Sequence, residues 1–218
     1  MDQDKTMNVL DEKKYVYDVY DSICKSFDIK RKTKPWKCFT EFIDRLPRRM
    51  TVVECGCGNG KNLDYIFDKH DILSFDTCQY FVDLNKRYNC FNCNICNIPL
   101  LDKSVDISFS LAVIHHLSDE NVIKAISEMI RITRYRVLFS VLSEDHKDEC
   151  IGLSKNMVEV SPKKYLIGWH LDGEVFQRYY RFFTYQDIIQ ILEYLNVKVF
   201  KITPETGNYF VEIDIKNI

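Results

Sequence analysis

The sequence predicts an α/β fold: a mostly parallel sheet that ends in an antiparallel hairpin and is preceded by two helices. Three observations carry this. From residue 51, short apolar runs alternate with segments of helical period, the pattern of a parallel sheet with right-handed crossovers. Three of the seven glycines, Gly56, Gly58 and Gly60, fall within five residues directly after the first run. The final two runs are separated by a turn segment instead of a helix, so they read as a hairpin. A dinucleotide-binding dehydrogenase would continue instead with a second strand-helix-strand half.

Taken in order, Val9, Val16, Val19, Tyr20, Ile23 and Phe27 sit at helical spacing and predict an amphipathic helix over 9–27. A basic loop, 29–34, follows. Pro35 suits the first residue of a second helix, with Trp36, Phe39, Phe42, Ile43 and Leu46 on its apolar face. Residues 51–55 read as a buried strand, followed by the glycine loop and a short helix from Asn62. The second strand, 72–75, ends in Asp76, and a helix through Tyr88 leads to a short strand at 90–93. A fourth strand spans 105–111. Ser118 caps a helix whose Val122, Ile123, Ile126, Met129 and Ile130 keep helical period. Residues 136–142 form a fifth strand. An acidic loop covers 143–150, and 151–175 show no clear period. The aromatic and basic stretch 176–183 precedes a Thr184-capped helix ending near Leu195. Strands 197–202 and 209–215 form the hairpin, joined by residues 204–208.

The 218 residues suit one domain with a sizeable core. Hydrophobic residues make up 46% and charged residues 28%, ordinary globular values that exclude disorder, collagen and coiled coil. No apolar run approaches the roughly 18 residues of a membrane helix. The polar, acidic start is unlike a secretory signal or transit peptide, and nine cysteines without an export signal fit a reduced, cytoplasmic protein, with the nucleus also open. Lys+Arg 30 against Asp+Glu 32 gives no global nucleic-acid signature, so any such role must rest on local basic patches.

The segment Glu54-Cys55-Gly56-Cys57-Gly58-Asn59-Gly60 lies at the carboxyl edge of the first strand, where ligands sit in open α/β sheets. Its G-x-G-x-G spacing differs from the G-x-G-x-x-G that supports a pyrophosphate, and no G-K-[ST] follows, which argues against a nucleoside triphosphate. An acid at the end of the second strand, Asp76, can accept from two vicinal hydroxyls at once.

Val53-Glu54-Cys55-Gly56-Cys57-Gly58-Asn59-Gly60 resembles the first motif of class I S-adenosylmethionine-dependent methyltransferases, whose sheet is Rossmann-like. The likeness narrows further. Val16-Tyr17-Asp18-Val19-Tyr20, Lys34-Pro35-Trp36, Ser110-Leu111-Ala112-Val113-Ile114-His115-His116, Arg178-Tyr179-Tyr180 and Gly207-Asn208-Tyr209 occur in this order in the eukaryotic tRNA (5-carboxymethyluridine-34) methyltransferases. The chain is similar to that family from about residue 10 to 215. The resemblance implies a single methyltransferase domain over 1–218, with an N-terminal helical extension (1–49), a cofactor-binding core (50–142) and a substrate-side region (143–218). It implies S-adenosyl-L-methionine as cofactor, held by Glu54, Gly56, Cys57, Gly58, Gly60, Asp76, Asn94, Ile95 and Leu111. Asn94 stands where the family has Asp.

The implied reaction esterifies the carboxylate of 5-carboxymethyluridine at the tRNA wobble position. A carboxylate of pKa about 4 is already ionised at neutral pH, so no general base is needed and positioning supplies most of the acceleration. The resemblance points to His116, Arg178, Tyr179 and Lys32 on the substrate side, with His116 donating a hydrogen bond and Arg178 holding carboxylate or phosphate. Lys30, Arg31, Lys32 and Lys34 form the one dense basic patch, suited to the phosphates of the tRNA anticodon stem-loop. Departures from the family include Arg134-Tyr135-Arg136 in place of a Pro-Gly-Gly turn and Val141 in place of a Trp. Cys90, Cys93 and Cys96 lack a fourth ligand at a familiar spacing, so no metal is expected. A small zinc-binding activator subunit is also implied. The third strand supplies an independent motive: it is expected at the sheet edge, and Asn89-Cys90-Phe91-Asn92-Cys93 carries no Lys or Pro to protect that edge, so a partner strand could add near Phe91. Two other readings stay open: a methyltransferase for a small carboxylic acid, and a non-catalytic adenosyl-binding scaffold.

Overall fold

A computed structural model describes residues 12–149 and 157–215. Ten strands form the sheet: β1 Thr51–Cys55, β2 Asp71–Asp76, β3 Cys90–Asn92, β4 Val105–Ser110, β5 Thr133–Ser143, β6 Met157–Ser161, β7 Lys164–Leu171, β8 Glu174–Phe183, β9 Val199–Glu205 and β10 Asn208–Asp214. The helices are α1 Asp18–Lys30, α2 Lys37–Asp44, α3 Leu63–Ile66, α4 Gln79–Leu84, α5 Asp119–Ile132 and α6 Tyr185–Tyr194. The main sheet runs β3-β2-β1-β4-β5-β10-β9, parallel through β5, with β10 antiparallel to β5 and β9 antiparallel to β10.

The sheet is buried on both faces because its strands put successive side chains on opposite sides. Val53, Cys55 and Val137 pack on one face with Val122, Ile126 and Met129 of α5 and Ile188 and Leu192 of α6. Val52, Ile107 and Leu138 pack on the other with Phe39, Phe42 and Ile43 of α2 and Leu63 and Ile66 of α3. Both layers leave the carboxyl ends of β1, β2 and β4 free to form a site.

Several boundaries differ from the sequence reading. A π-helical turn, Lys13–Tyr17, continues into α1, which runs on to Lys30 and absorbs the first two residues of the expected basic loop; Val9 lies outside the described residues. The second helix starts at Lys37, not Pro35, because Trp36 is extended and the Glu205 carboxylate caps it from the hairpin, accepting from Lys37 N–H at 2.8 Å and Cys38 N–H at 2.7 Å. The largest correction is at 157–183, where β6, β7 and β8 form an antiparallel meander that joins the end of β5 through Leu142↔Phe182 and Ser143↔Phe183. Asp172 (φ 51°) and Gly173 (φ 84°) make the two-residue turn between β7 and β8, an Asp-Gly signal for a tight hairpin. The C-terminal hairpin is also tighter than expected: Thr206 and Gly207 alone turn it, and Pro204 is tolerated in β9 because that strand pairs on one side only. As expected, β3 is an edge, pairing only with β2 among the described residues.

Candidate active site

A cavity of about 590 Å³ opens at the carboxyl edge of β1, β2 and β4, walled by α1 on one side and by the meander on another. That volume is within the roughly 300–1,000 Å³ of small-ligand sites. The glycine loop forms its floor. A Cβ on Gly56 (φ 82°) would lie 2.6 Å from Val113, and one on Gly60 (φ 76°) 2.0 Å from the Asn85 amide oxygen, so both backbones need the left-handed region and the absent side chain. Gly56, Cys57 and Gly58 line the cavity; Gly60 does not, and serves to pack the loop on Asn85.

Asp76 is fixed at the wall by two backbone donors, Gly58 N–H to Oδ2 at 2.8 Å and Cys78 N–H to Oδ1 at 3.0 Å. Burial pushes its pKa up, and each oxygen keeps a lone pair for a ligand hydroxyl. Glu54, 1% exposed, accepts from Asn62 Nδ2 at 2.7 Å through Oε1, while Oε2 has no partner. Burial pushes the Glu54 carboxyl up to about 8, so it is protonated at neutral pH. Asn94 lies farther along the wall, with Ile95 and Leu111 nearby. Its Oδ1 accepts from Cys96 N–H at 2.8 Å and its Nδ2 donates to the Tyr17 hydroxyl at 3.2 Å.

The opposite end of the cavity holds His116 and Arg178. Nδ1 of His116 lies 2.7 Å from the Tyr179 carbonyl, which can only accept, so Nδ1 carries the proton. Nε2 then accepts from the Tyr20 hydroxyl at 3.0 Å. Burial depresses the His116 pKa to about 3, leaving a neutral ring with both nitrogens engaged. The expectation that His116 donates to a substrate is therefore corrected: it orients Tyr20. Arg178 is 3% exposed, its guanidinium 4.9 Å from the Trp169 ring centroid and 5.2 Å from that of Tyr180. It faces the hydroxyls of Tyr20 and Tyr180, none of the ion pairs among the described residues includes it, and Nε has no partner.

On the substrate side, two expected residues do not reach the cavity. Strand alternation turns Tyr179 away from the face shared by Arg178 and Tyr180, so its side chain is buried behind the wall. Lys32 is exposed, 3.8 Å from Asp28. The basic rim consists instead of Arg31, Lys34 and Lys61, with the Lys61 ammonium 3.9 Å from the Trp36 ring centroid. Tyr17, Tyr20 and Tyr180 were missed as site residues. Period two carries the signal for Tyr180; Tyr20 shares the apolar stripe of α1, where only its hydroxyl distinguishes it. The three spaced cysteines do not converge: Cys90 faces Cys57, while Cys96 Sγ meets the Asn121 carbonyl.

Residues 53–140 match a family described as a methyltransferase domain. A tRNA (carboxymethyluridine(34)-5-O)-methyltransferase of Schizosaccharomyces pombe is 25% identical over 94% of this chain and 98% of its own. A protein of the same name from Macaca fascicularis is 34% identical over 126 residues, 56% of this chain and 19% of its own. The chain thus spans about a fifth of the length of the first curated relatives it matches. Among solved structures, a Haloferax volcanii methyltransferase in complex with the Trm112 methyltransferase activator superposes with a TM-score of 0.66 at 14% identity, over 92% of this chain and 97% of that one. Other fold neighbours are S-adenosylmethionine-dependent methyltransferases.

Proposed function

We propose that this chain, which has the class I S-adenosylmethionine-dependent methyltransferase fold and is similar to tRNA carboxymethyluridine methyltransferases, esterifies the carboxylate of 5-carboxymethyluridine at the wobble position of tRNA. The observation that carries this reading is Arg178: a buried guanidinium on the cavity wall with no carboxylate partner. Burying a cation uncompensated is costly unless an anion completes it. A substrate carboxylate fits the guanidinium fork, flanked by the Tyr20 and Tyr180 hydroxyls.

The cofactor, when bound, supplies an electrophilic sulfonium methyl group. Gly56 and Gly58, with no Cβ in the way, and Cys57 beside them would hold its methionine end, Asp76 would accept from the ribose hydroxyls, and Asn94, Ile95 and Leu111 would bound the adenine end. The unpartnered Oε2 of Glu54 suits the methionine ammonium, whose positive charge would favour the ionised carboxylate and release to solvent the proton that burial keeps there. No residue of the wall needs to remove a proton, in keeping with a neutral, fully engaged His116. The chain's contribution is alignment: Arg178 fixes the carboxylate, and Val16 and Tyr17 of the π-helical turn with Tyr20 and Phe27 of α1 shield the reacting atoms from water.

Arg31, Lys34 and Lys61 at the rim suit the phosphates of an anticodon stem-loop. A zinc-binding activator subunit would pair with the β3 edge, where Phe91 is half-buried with its ring 5.6 Å from Phe75; the Haloferax neighbour, solved in complex with a methyltransferase activator, supports a partner of this kind. We expect Phe91→Lys to abolish co-purification with the activator while the variant's melting temperature falls by only a few degrees; retained co-purification refutes this interface. The activity itself is tested by nucleoside analysis of tRNA from cells lacking the protein: free carboxymethyluridine accumulates and its methyl ester disappears. An unchanged ester level excludes the reaction.

A further inference from the structure

Cys57 belongs to the glycine loop and lines the cofactor cavity, 5% exposed. Cys90 is half-buried on the edge strand β3. Their sulfurs are 3.6 Å apart, within hydrogen-bond distance, and both thiols are free. A disulfide requires about 2.05 Å, so a closure of about 1.5 Å completes the bond. The loop can supply part of that movement. It pivots between three positive-φ glycines; Gly56 and Cys57 N–H bond the Phe75 carbonyl, Gly58 N–H bonds Asp76, and Asn85 Nδ2 reaches the Gly58 carbonyl at 2.7 Å and Cys57 Sγ at 3.6 Å, so the closure falls on the Cys57 and Cys90 side chains and a small shift of the loop.

We infer that Cys57 and Cys90 are a reversible oxidation site, and that their disulfide disables the cofactor cavity. The two thiols are unequal. The hydrogen bond from Cys57 lowers the Cys90 pKa, while that contact and burial raise that of Cys57, so Cys90 is the thiol that ionises first. Its thiolate attacks the terminal oxygen of a hydroperoxide, breaking the O–O bond to give a Cys90 sulfenic acid and an alcohol or water. The Cys57 sulfur then attacks the sulfenic sulfur, and the departing hydroxide takes the Cys57 proton and leaves as water. Two thiols are oxidised by two electrons and one hydroperoxide is reduced.

The consequence follows from position. The new bond draws Cys57 Sγ from the cavity wall toward β3, and Asn85 loses its sulfur contact. Gly56 and Gly58 on either side shift with it, and these are the residues a cofactor must approach closely. This consequence rests on the cofactor reading above; formation of the bond does not.

The test treats the full chain with hydrogen peroxide, maps linked peptides by mass spectrometry without reduction, and titrates S-adenosylhomocysteine calorimetrically before and after. We expect a Cys57–Cys90 peptide, at least tenfold weaker binding, and recovery of both states with dithiothreitol. Cys90→Ser, whose side chain is outside the cavity, should bind normally and lose no affinity on oxidation. A chain that yields other cysteine products without this peptide overturns the site. A linked chain that binds as tightly as the reduced one overturns the switch. Reduced protein that fails to bind the nucleoside overturns the cofactor reading and the switch with it, while the linked peptide still decides whether the bond forms.

Discussion

Arg178→Met separates function from stability more sharply than any other change in this protein. Methionine approximates the length and volume of the arginine stem and keeps contact with Trp169 and Tyr180, but removes the charge. On the functional side, a hydrogen bond to a charged group contributes about 1.5–3 kcal/mol, and at about 1.4 kcal/mol per tenfold this predicts a fall in kcat/KM for tRNA of about 10- to 150-fold. On the stability side, the sign is opposite. The guanidinium is 3% exposed without a carboxylate partner, and desolvating an unpaired ion costs several kcal/mol. Cation–π contact with two rings returns about 0.5–2 kcal/mol each. Removing the charge should leave the melting temperature unchanged or raise it by a few degrees, at about 2–4 °C per kcal/mol for a chain of this size. The assays are methyl transfer to undermodified tRNA, calorimetric binding of S-adenosylhomocysteine, and thermal unfolding. Unchanged cofactor affinity, lost transfer and undiminished stability are expected together. Full activity, or a loss of activity explained by a melting temperature many degrees lower, refutes the role.

Three further outcomes are expected. Asp76→Ala should weaken S-adenosylhomocysteine binding by about tenfold or more in calorimetry, since two hydroxyls lose a charged acceptor; unchanged affinity removes Asp76 from the site. Tyr20→Phe leaves His116 Nε2 buried without its donor, a loss of about 1–3 kcal/mol, and should cut methyl transfer while sparing cofactor binding; equal kcat/KM with wild type counts against the Tyr20–His116 pair. The depressed His116 pKa has a stability signature: the unfolded chain takes up a proton below about 6.5 that the folded chain refuses until about 3, so this stabilisation is complete above pH 6.5 and is lost as pH falls. Between pH 7 and 5 it amounts to about 2 kcal/mol, and urea unfolding of His116→Asn should show a pH dependence weaker by that amount; identical slopes contradict a buried neutral ring.

The cofactor end was legible in sequence because backbone dictates it. Positive φ at Gly56, Gly58 and Gly60 leaves few residue choices, and the acid at the end of β2 follows from strand order. The substrate end depended on details a sequence does not display. Whether Tyr179 or Tyr180 joins Arg178 is settled by the period of β8, and the segment 151–175 hid that strand's partners because β6 is largely exposed and has little apolar alternation. The Asp172-Gly173 turn was readable there and went unused. Nothing near Lys37 announces a cap from Glu205, since that contact spans 168 residues. Helical spacing placed Tyr20 correctly on the buried stripe of α1, but a tyrosine on such a stripe reads as core until its hydroxyl is seen to meet His116.

These features together describe a site left electrostatically incomplete at both ends. Glu54 Oε2, Asn62 Oδ1, His115 Nδ1 and Arg178 Nε are buried polar atoms without partners, and all four belong to residues that line the cavity. At the cofactor end the protein holds a carboxyl that burial keeps protonated; at the substrate end it holds a guanidinium that cannot discharge. Bringing a cationic ammonium to the first and an anionic carboxylate to the second completes both, at opposite ends of one cavity. The two ends also oppose each other in pH. Protonated Glu54 contributes stability below about 4.5 that is lost as pH rises toward 8, whereas neutral His116 contributes stability that is lost as pH falls below 6.5. A bound cofactor that lets Glu54 ionise should therefore flatten the alkaline side of the stability profile and leave the contribution of His116 on the acidic side unchanged.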